Sequence, residues 1–352
     1  MMKMRSALIL LLCLMLSATA ALGEAQCMYV DLPGDFAPYG GGWGLAEDGS
    51  VWVGGGFGSP GQTRGGLLRV GLDGSCADVT PEGDRMEGLY GDVIPLGEDS
   101  CIAVRSVRTE SGYTDYLGRL EAGELAWQLE VPGSRPVHLC RSGDGFLMSS
   151  KPASGAVELR RMDFSGGEAW RIQLEERIVI RGMLAGEGWN VAYGMKYEEP
   201  HADGSDQNYT PVLLAFDDAG RLLWKWESAR YDCHSFVAAA WREDGGVVAL
   251  EQGGAIAFSA AGEPEWTHEA ESRRRGLTAV DGGFLITSIS GSGEVHVEFL
   301  DADGALKWEE YIPTGRDWSG CTPFVSGGAA YVLLESMYAG GEGLGLLKLD
   351  AE

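Results

Sequence analysis

The stretch FDDAGRLLWKWE, residues 216–227, decides the fold, because the chain writes it several times. Near-copies stand at residues 299–310 (FLDADGALKWEE), 258–269 (FSAAGEPEWTHE) and 119–130 (RLEAGELAWQLE). In each, a glycine precedes a tryptophan by four residues: Gly220 and Trp224, Gly304 and Trp308, Gly262 and Trp266, Gly123 and Trp127. Trp170 follows Gly166 at the same spacing. An apolar run, a tight polar turn and a second run carrying the tryptophan read as a β-hairpin. The glycine supplies positive φ, and the acidic residue hydrogen-bonds the turn backbone.

A second signature alternates with the first, an acidic-Gly turn leading into apolar residues. It begins at Glu47, Glu98, Gly143, Gly186, Glu243, Val280 and Ser326, making seven copies. Their mean spacing of about 46 residues lies in the propeller range. The tryptophan hairpins number five, and VGLDGSCADV at residues 70–79 is a degenerate sixth. The missing outer strand is found at the other end of the chain. CMYVDLPG (27–34) matches AWQLEVPG (126–133) class for class, through the final Pro-Gly.

The chain is therefore expected to be all-β, a seven-bladed β-propeller of four-stranded blades. It should close by its N-terminal strand completing the last blade. One domain spans 24–352, with blades at about 40–82, 87–132, 136–176, 179–228, 233–270, 274–313 and 318–350, the last completed by strand 27–33. Strand exchange between the ends removes the edges that an open array would expose.

The repeat LLAFDDAGRLLWKW resembles the PQQ-like β-propeller repeat, a relative of WD40 and YVTN-type repeats, in which an apolar residue, Asp, a turn, Gly and a Trp four residues on recur. The similarity covers residues 27–352 and is degenerate outside the Gly and Trp positions. The sialidase Asp-box differs, since its aromatic follows the glycine by three residues. The resemblance implies an extracytoplasmic propeller. Quinone-dependent dehydrogenases of that family stack a quinone on a tryptophan, hold calcium on acidic side chains and often carry a disulfide of adjacent cysteines. This chain has no Cys-Cys pair, and seven repeats where those enzymes have eight blades. The family's outer-membrane assembly lipoprotein is also eight-bladed and lipid-anchored, whereas neither Cys13 nor Cys27 here follows a lipobox. Cofactors are therefore not expected, calcium and quinone being those the family would bring.

Lys3 and Arg5 before the apolar ALILLLCLML and the small-residue ALG at 21–23 read as a signal peptide, residues 1–23, cleaved near Gly23. The expected location is extracellular or periplasmic. No later run is long enough for a membrane helix. Removing residues 1–23 takes away two positive charges and moves the net charge from -25 to -27. A field of that sign excludes nucleic acid and anionic lipid as partners and keeps a monomer dispersed. Six cysteines lie beyond the leader: Cys27, Cys76, Cys101, Cys140, Cys233 and Cys321. An exported chain permits disulfides. Strand register favours Cys27 with Cys76, on the last and first blades, and then Cys101 with Cys140, read as inner strands of blades 2 and 3.

No GxSxG, HExxH or phosphate-binding loop is present, and His138, His201, His234, His268 and His296 are isolated in sequence. No catalytic, metal or cofactor residue is assigned. One tryptophan per blade in a single register (Trp127, Trp170, Trp224, Trp266, Trp308) reads as packing between sheets, not as a cofactor platform. The Gly-rich YGGGWG (39–44) and VGGGFGSPGQTRGG (53–66) read as flexible turns. Loop length gives the functional clue. First and third turns, which share one face, are uniformly tight. Second turns vary, being long in blade 2 (105–116), blade 4 (196–211) and blade 7 (335–343), with a Gly-rich one in blade 1. The blade 4 loop gathers Tyr197, Glu198, Glu199, His201, Asp203, Asp206 and Tyr209. Aromatics beside carboxylates suit a protein or glycan partner, or a divalent cation. The expected function is non-enzymatic binding through this face. The rival reading is an enzyme, a polysaccharide lyase or hydrolase or a quinoprotein, with its site at the central channel mouth.

Overall fold

The computed structural model describes residues 26–38, 42–58, 63–81, 88–109, 112–131, 134–151, 155–175, 177–197, 209–228, 235–269, 274–336 and 343–349. They form seven antiparallel sheets and no helix. Blade 4 shows the pattern, its strands running Ile178–Ala185, Trp189–Tyr197, Tyr209–Asp217 and Leu222–Glu227 from the axis outward. Blade 7 takes its outermost strand from the N-terminal end, and blade 1 departs at its centre. Its innermost strand is split into Phe36–Ala37 and Trp43–Leu45, both paired with Val51–Phe57.

Alternation of side chains along each strand feeds two interfaces at once. In blade 4, Ala192, Val212, Leu214 and Phe216 pack with Leu147 and Leu159 of blade 3. Val191 and Leu213 pack with Phe236, Val247 and Phe258 of blade 5. The second and third strands are buried on both faces, so they read as unbroken apolar runs.

The ring closes as expected. Gln26–Val30 pairs antiparallel with Gly343–Leu349, Cys27 opposite Leu347 and Tyr29 opposite Gly345. This gives blade 7 its fourth strand beside Gly320–Ser326 and Ala329–Ser336. Tyr29 stacks on Trp318 with ring centres 6.2 Å apart, Arg316 covers its ring, and its hydroxyl donates to the Thr314 carbonyl. The connection from blade 6 thus clamps the closing strand.

The repeated tryptophans are packing residues, and they share one device. Each indole lies over the third-turn glycine of the next blade and donates Nε1–H to the carbonyl two residues before it. Trp170 covers Gly220 and donates to Asp218 at 2.8 Å. Trp224 covers Gly262 and donates to Ala260 at 2.9 Å, and Trp266 covers Gly304 and donates to Ala302 at 3.2 Å. Trp127 does the same with Gly166 and Phe164, at 3.1 Å. The glycines have φ near +80 to +91°, and a Cβ on Gly262 or Gly304 would fall 2.5 Å from the indole, so the turn and the clasp both require glycine. Trp308 differs. It borders an apolar cavity of about 440 Å³ with Phe299, Val325, Ala329 and Leu349. Blade 7 takes its outer strand from the other end of the chain and presents no such hairpin there.

Two expectations are corrected. Cys27, Cys76, Cys101 and Cys140 are all free thiols. Cys27 packs toward blade 6, whereas its neighbour Met28 and Cys76 pack in the seam between blades 7 and 1. Cys101 lies on the second strand of blade 2, not the inner one, and faces blade 1, while Cys140 faces blade 4. Whole sheets therefore separate both expected pairs. Gly54, Gly55 and Gly56 of VGGGFG are buried strand, not flexible turn. A Cβ on Gly54 would lie 2.2 Å from the Gly91 carbonyl oxygen, and one on Gly55 2.4 Å from that of Ala37. Glycine here lets neighbouring backbones approach.

Candidate functional site: the second-turn face between blades 4 and 5

First and third turns are short loops stitched by their own backbones, such as Gly220 N–H to Asp217 O (2.9 Å) and Gly304 N–H to Asp301 O (3.0 Å). Aspartate side chains lock them: Asp217 accepts from the Ala219 and Arg221 N–H groups, Asp301 from those of Asp303 and Ala305. On the second-turn face the gaps between strands are unequal, from the two residues between Glu251 and Gly254 in blade 5 to the interval 198–208 in blade 4, with one correction to the expected lengths. In blade 2 the long loop expected at 105–116 is instead an extended hairpin, Ser100–Thr109 paired with Gly112–Glu121. In blade 4, Tyr197 pairs with Tyr209 as the last rung before the loop. Glu198, Glu199, His201, Asp203 and Asp206 lie outside the described residues.

A cavity of about 640 Å³ opens at the foot of that loop. Alternation sets its wall: Met195, Tyr197 and Tyr209 lie on the blade 5 side of blade 4, and Ser235, Val237 and Gln252 answer from blade 5. The Tyr197 and Tyr209 rings meet edge to face with centres 4.9 Å apart. The Tyr197 N–H donates to the Arg177 carbonyl at 2.9 Å, fixing the strand end. Arg181 reaches the channel mouth from a β-bulge between Ile180 and Gly182. Gly182 makes that bulge possible, since its Cβ would fall 2.2 Å from the Tyr193 hydroxyl. Burial first, then the nearby Cys140 and Asp92, holds the Tyr193 phenol above its ordinary range, so it stays neutral behind the site.

His138 of blade 3 completes the wall. Its Nδ1 lies 3.4 Å from Asp92 Oδ2, which also accepts the Leu139 N–H at 3.0 Å. Its Nε2 is buried with no hydrogen-bond partner among the described residues. The cavity thus offers one guanidinium, one unmet imidazole nitrogen, two aromatic rings and two neutral polar groups. Such a set suits stacking and hydrogen bonding, and among the described residues lining it no nucleophile is paired with a base. Of the blade 4 loop residues named above, Tyr197 and Tyr209 are the two described, and they meet here. Arg181, His138 and Gln252 carry no local signal, because they meet only when the ring brings the inner strands of blades 3 and 4 and the second turn of blade 5 together. His268 and His296 also come together with glutamates, in the groove between blades 5 and 6.

No family model matches the chain, and no curated protein matches its sequence. Solved structures share its fold. BamB from Moraxella catarrhalis is similar at 14% identity, covering 94% of this chain and 100% of that one with a TM-score of 0.57. A chain in the mitotic checkpoint complex is 12% identical over 93% of each chain, with a TM-score of 0.62. Sqt1 of Saccharomyces cerevisiae is 12% identical, covering 94% of this chain and 100% of that one, with a TM-score of 0.54. At such identities the likeness establishes architecture alone.

Proposed function

We propose that this chain is an exported, extracytoplasmic propeller of the PQQ-like repeat type that binds a protein partner, without catalysis, through its second-turn face at blades 4 and 5. The cavity under the Tyr197–Tyr209 rung is the observation that carries this reading. A binding face needs side chains that differ from blade to blade, and the unequal second turns give this face that variety. Arg181 on a rigid inner strand supplies a charged anchor, the kind of residue that dominates protein interfaces. A propeller of similar shape is part of the mitotic checkpoint complex, so the scaffold serves in at least one protein assembly. The edge-to-face tyrosines favour glycan as a second reading, because aromatic rings stack on sugar faces as well as on side chains.

The test begins with capture of a partner on the immobilised protein, followed by affinity measurement. Arg181→Glu and Tyr197→Ala should each weaken the captured partner by about tenfold or more, equivalent to about 1.4 kcal/mol. Replacing residues 198–208 with a short Gly-Ser link should act alike and leave the fold intact, since loop shortening changes closure entropy little. A glycan array separates the second reading. A partner that tolerates all three changes but is lost when Asp303 and Gly304 are altered assigns binding to the opposite face.

A further inference from the structure

The groove between blades 5 and 6 holds a cluster that the cavity does not use. On blade 6, His296 and Glu298 lie on the third strand, Val295–Asp301, and Glu309 lies on the outer strand opposite Glu298. Spacings of two along one strand and direct pairing across to the next put all three on the face toward blade 5. His296 Nε2 is 3.0 Å from Glu309 Oε2 and 3.8 Å from Glu298 Oε1, and the three donor atoms lie within 4.8 Å of one another. From the outer strand of blade 5, His268 Nε2 stands 3.6 Å from the other Glu298 oxygen.

Burial makes this more than a surface ion pair. The side chains of His296 and Glu298 are 4% and 5% exposed, and Glu309, at 50%, faces solvent. Tyr311 stacks flat on the His296 ring with centres 4.1 Å apart, and Ser288 Oγ lies 3.5 Å from its Nδ1, so the ring is held with Nε2 toward the carboxylates. Two carboxylates and an imidazole nitrogen thus converge in one groove, His296 and Glu298 buried within it and Glu309 at its solvent edge. A zinc ion with bonds of about 2.0–2.2 Å sets tetrahedral ligand atoms about 3.3–3.6 Å apart, and the observed 3.0 and 3.8 Å bracket that span.

We propose that His296 Nε2, Glu298 Oε1 and Glu309 Oε2 bind a zinc-class divalent ion, with His268 holding the second Glu298 oxygen from blade 5. Imidazole nitrogen in the set selects zinc or cobalt over calcium and magnesium, which favour all-oxygen sites. Three protein ligands leave a fourth position, on the side where Glu309 meets solvent, for water or a group from outside. The ion ties one blade to the next, because its ligand Glu298 is gripped from both.

The test uses tag-free protein, stripped with chelator and titrated with zinc chloride in excess calcium to occupy the acidic surface. One equivalent should bind, cobalt should give the intense visible bands of a four-coordinate site, and zinc should raise the melting temperature. Glu298→Gln and His296→Ala should abolish all three readouts. Glu309→Gln, at a half-exposed position where misfolding is not expected, should lose the cobalt bands while melting like the stripped wild type. His268→Ala should weaken zinc roughly 10–100-fold, as loss of a supporting partner does. Absence of a bound equivalent in folded wild type, or equal binding by wild type and Glu309→Gln, would overturn the site and leave only surface association.

Discussion

At the scale of the residue, the Gly-to-Trp spacing of four encodes a contact between blades rather than within one. The indole of Trp224 gains both the Gly262 turn and a hydrogen bond to Ala260. Its truncation to alanine should cost about 2–4 kcal/mol in urea unfolding, below the range for a fully buried aromatic because the ring stays partly exposed. Trp224→Phe should cost about 1 kcal/mol, the worth of the bond alone. Trp308→Ala should cost less than Trp224→Ala, since Trp308 covers no turn; equal losses would contradict the clasp. The aspartates give a pH signature. The Asp301 carboxyl is held below its ordinary range by the Lys307 side chain first and then by the Ala305 N–H. A folded pKa below the unfolded one means the stabilisation is full above the unfolded value, about 3.9, and is lost as pH falls through the lower folded value. The melting-temperature gap between wild type and Asp301→Asn should therefore be widest near neutrality and shrink below about pH 4. A gap that widens on acidification would reverse the assignment.

At the scale of the element, closure rests on five residues. Deleting 26–30 removes a strand paired along Gly343–Leu349 together with the Tyr29–Trp318 stack. The truncated protein should melt early or aggregate through the bared edge, while a chain beginning at Gln26 should melt like one beginning at residue 24. Light scattering during a thermal ramp separates them. This strand was legible in the sequence because CMYVDLPG copies a class pattern already used at 126–133. The hairpins were legible for the same reason, their turn chemistry being local. Side-chain direction was not. The cysteine pairings failed because facing sides depend on which residue of each strand points to which neighbour, and Met28, not Cys27, looks toward blade 1. The blade 2 hairpin and the buried VGGGF strand are not legible because polar and glycine-rich sequence reads as loop. There, contacts with the next sheet override local propensity. Of the candidate site, Tyr197 and Tyr209 were legible as members of the blade 4 connection but not as a paired rung, and Arg181, His138 and the His268–His296 pair are assembled only by the ring.

At the scale of the whole molecule, seven sheets are joined by side-chain packing and one strand exchange, with no covalent bond among the described cysteines. Melting temperature should be the same with and without reductant, and native-state alkylation should spare Cys101. Burial pushes that thiol up to about 12, so the reactive thiolate is scarce as well as enclosed. A reductant-sensitive melt would expose a cross-link that this packing does not contain. The surface asymmetry also belongs to this scale: one face is built of locked turns, the other of unequal ones, and both proposed binding regions open on grooves between blades.

The closing strand imposes an order in time. Cys27 pairs with Leu347, so the first strand to be made must find the last, 320 positions later (347 minus 27). During synthesis six blades can form in sequence from local hairpins, but the seventh already has its outer strand and must wait for its other three, Gly320–Ser326, Ala329–Ser336 and Gly343–Leu349. Until then Gln26–Val30 is an apolar segment without its sheet, and the far side of blade 1 is open. Such distant pairing is slow, and the waiting edge is where a chaperone would be needed. The seam that makes the finished ring edgeless is thus the point at which the unfinished one is most vulnerable.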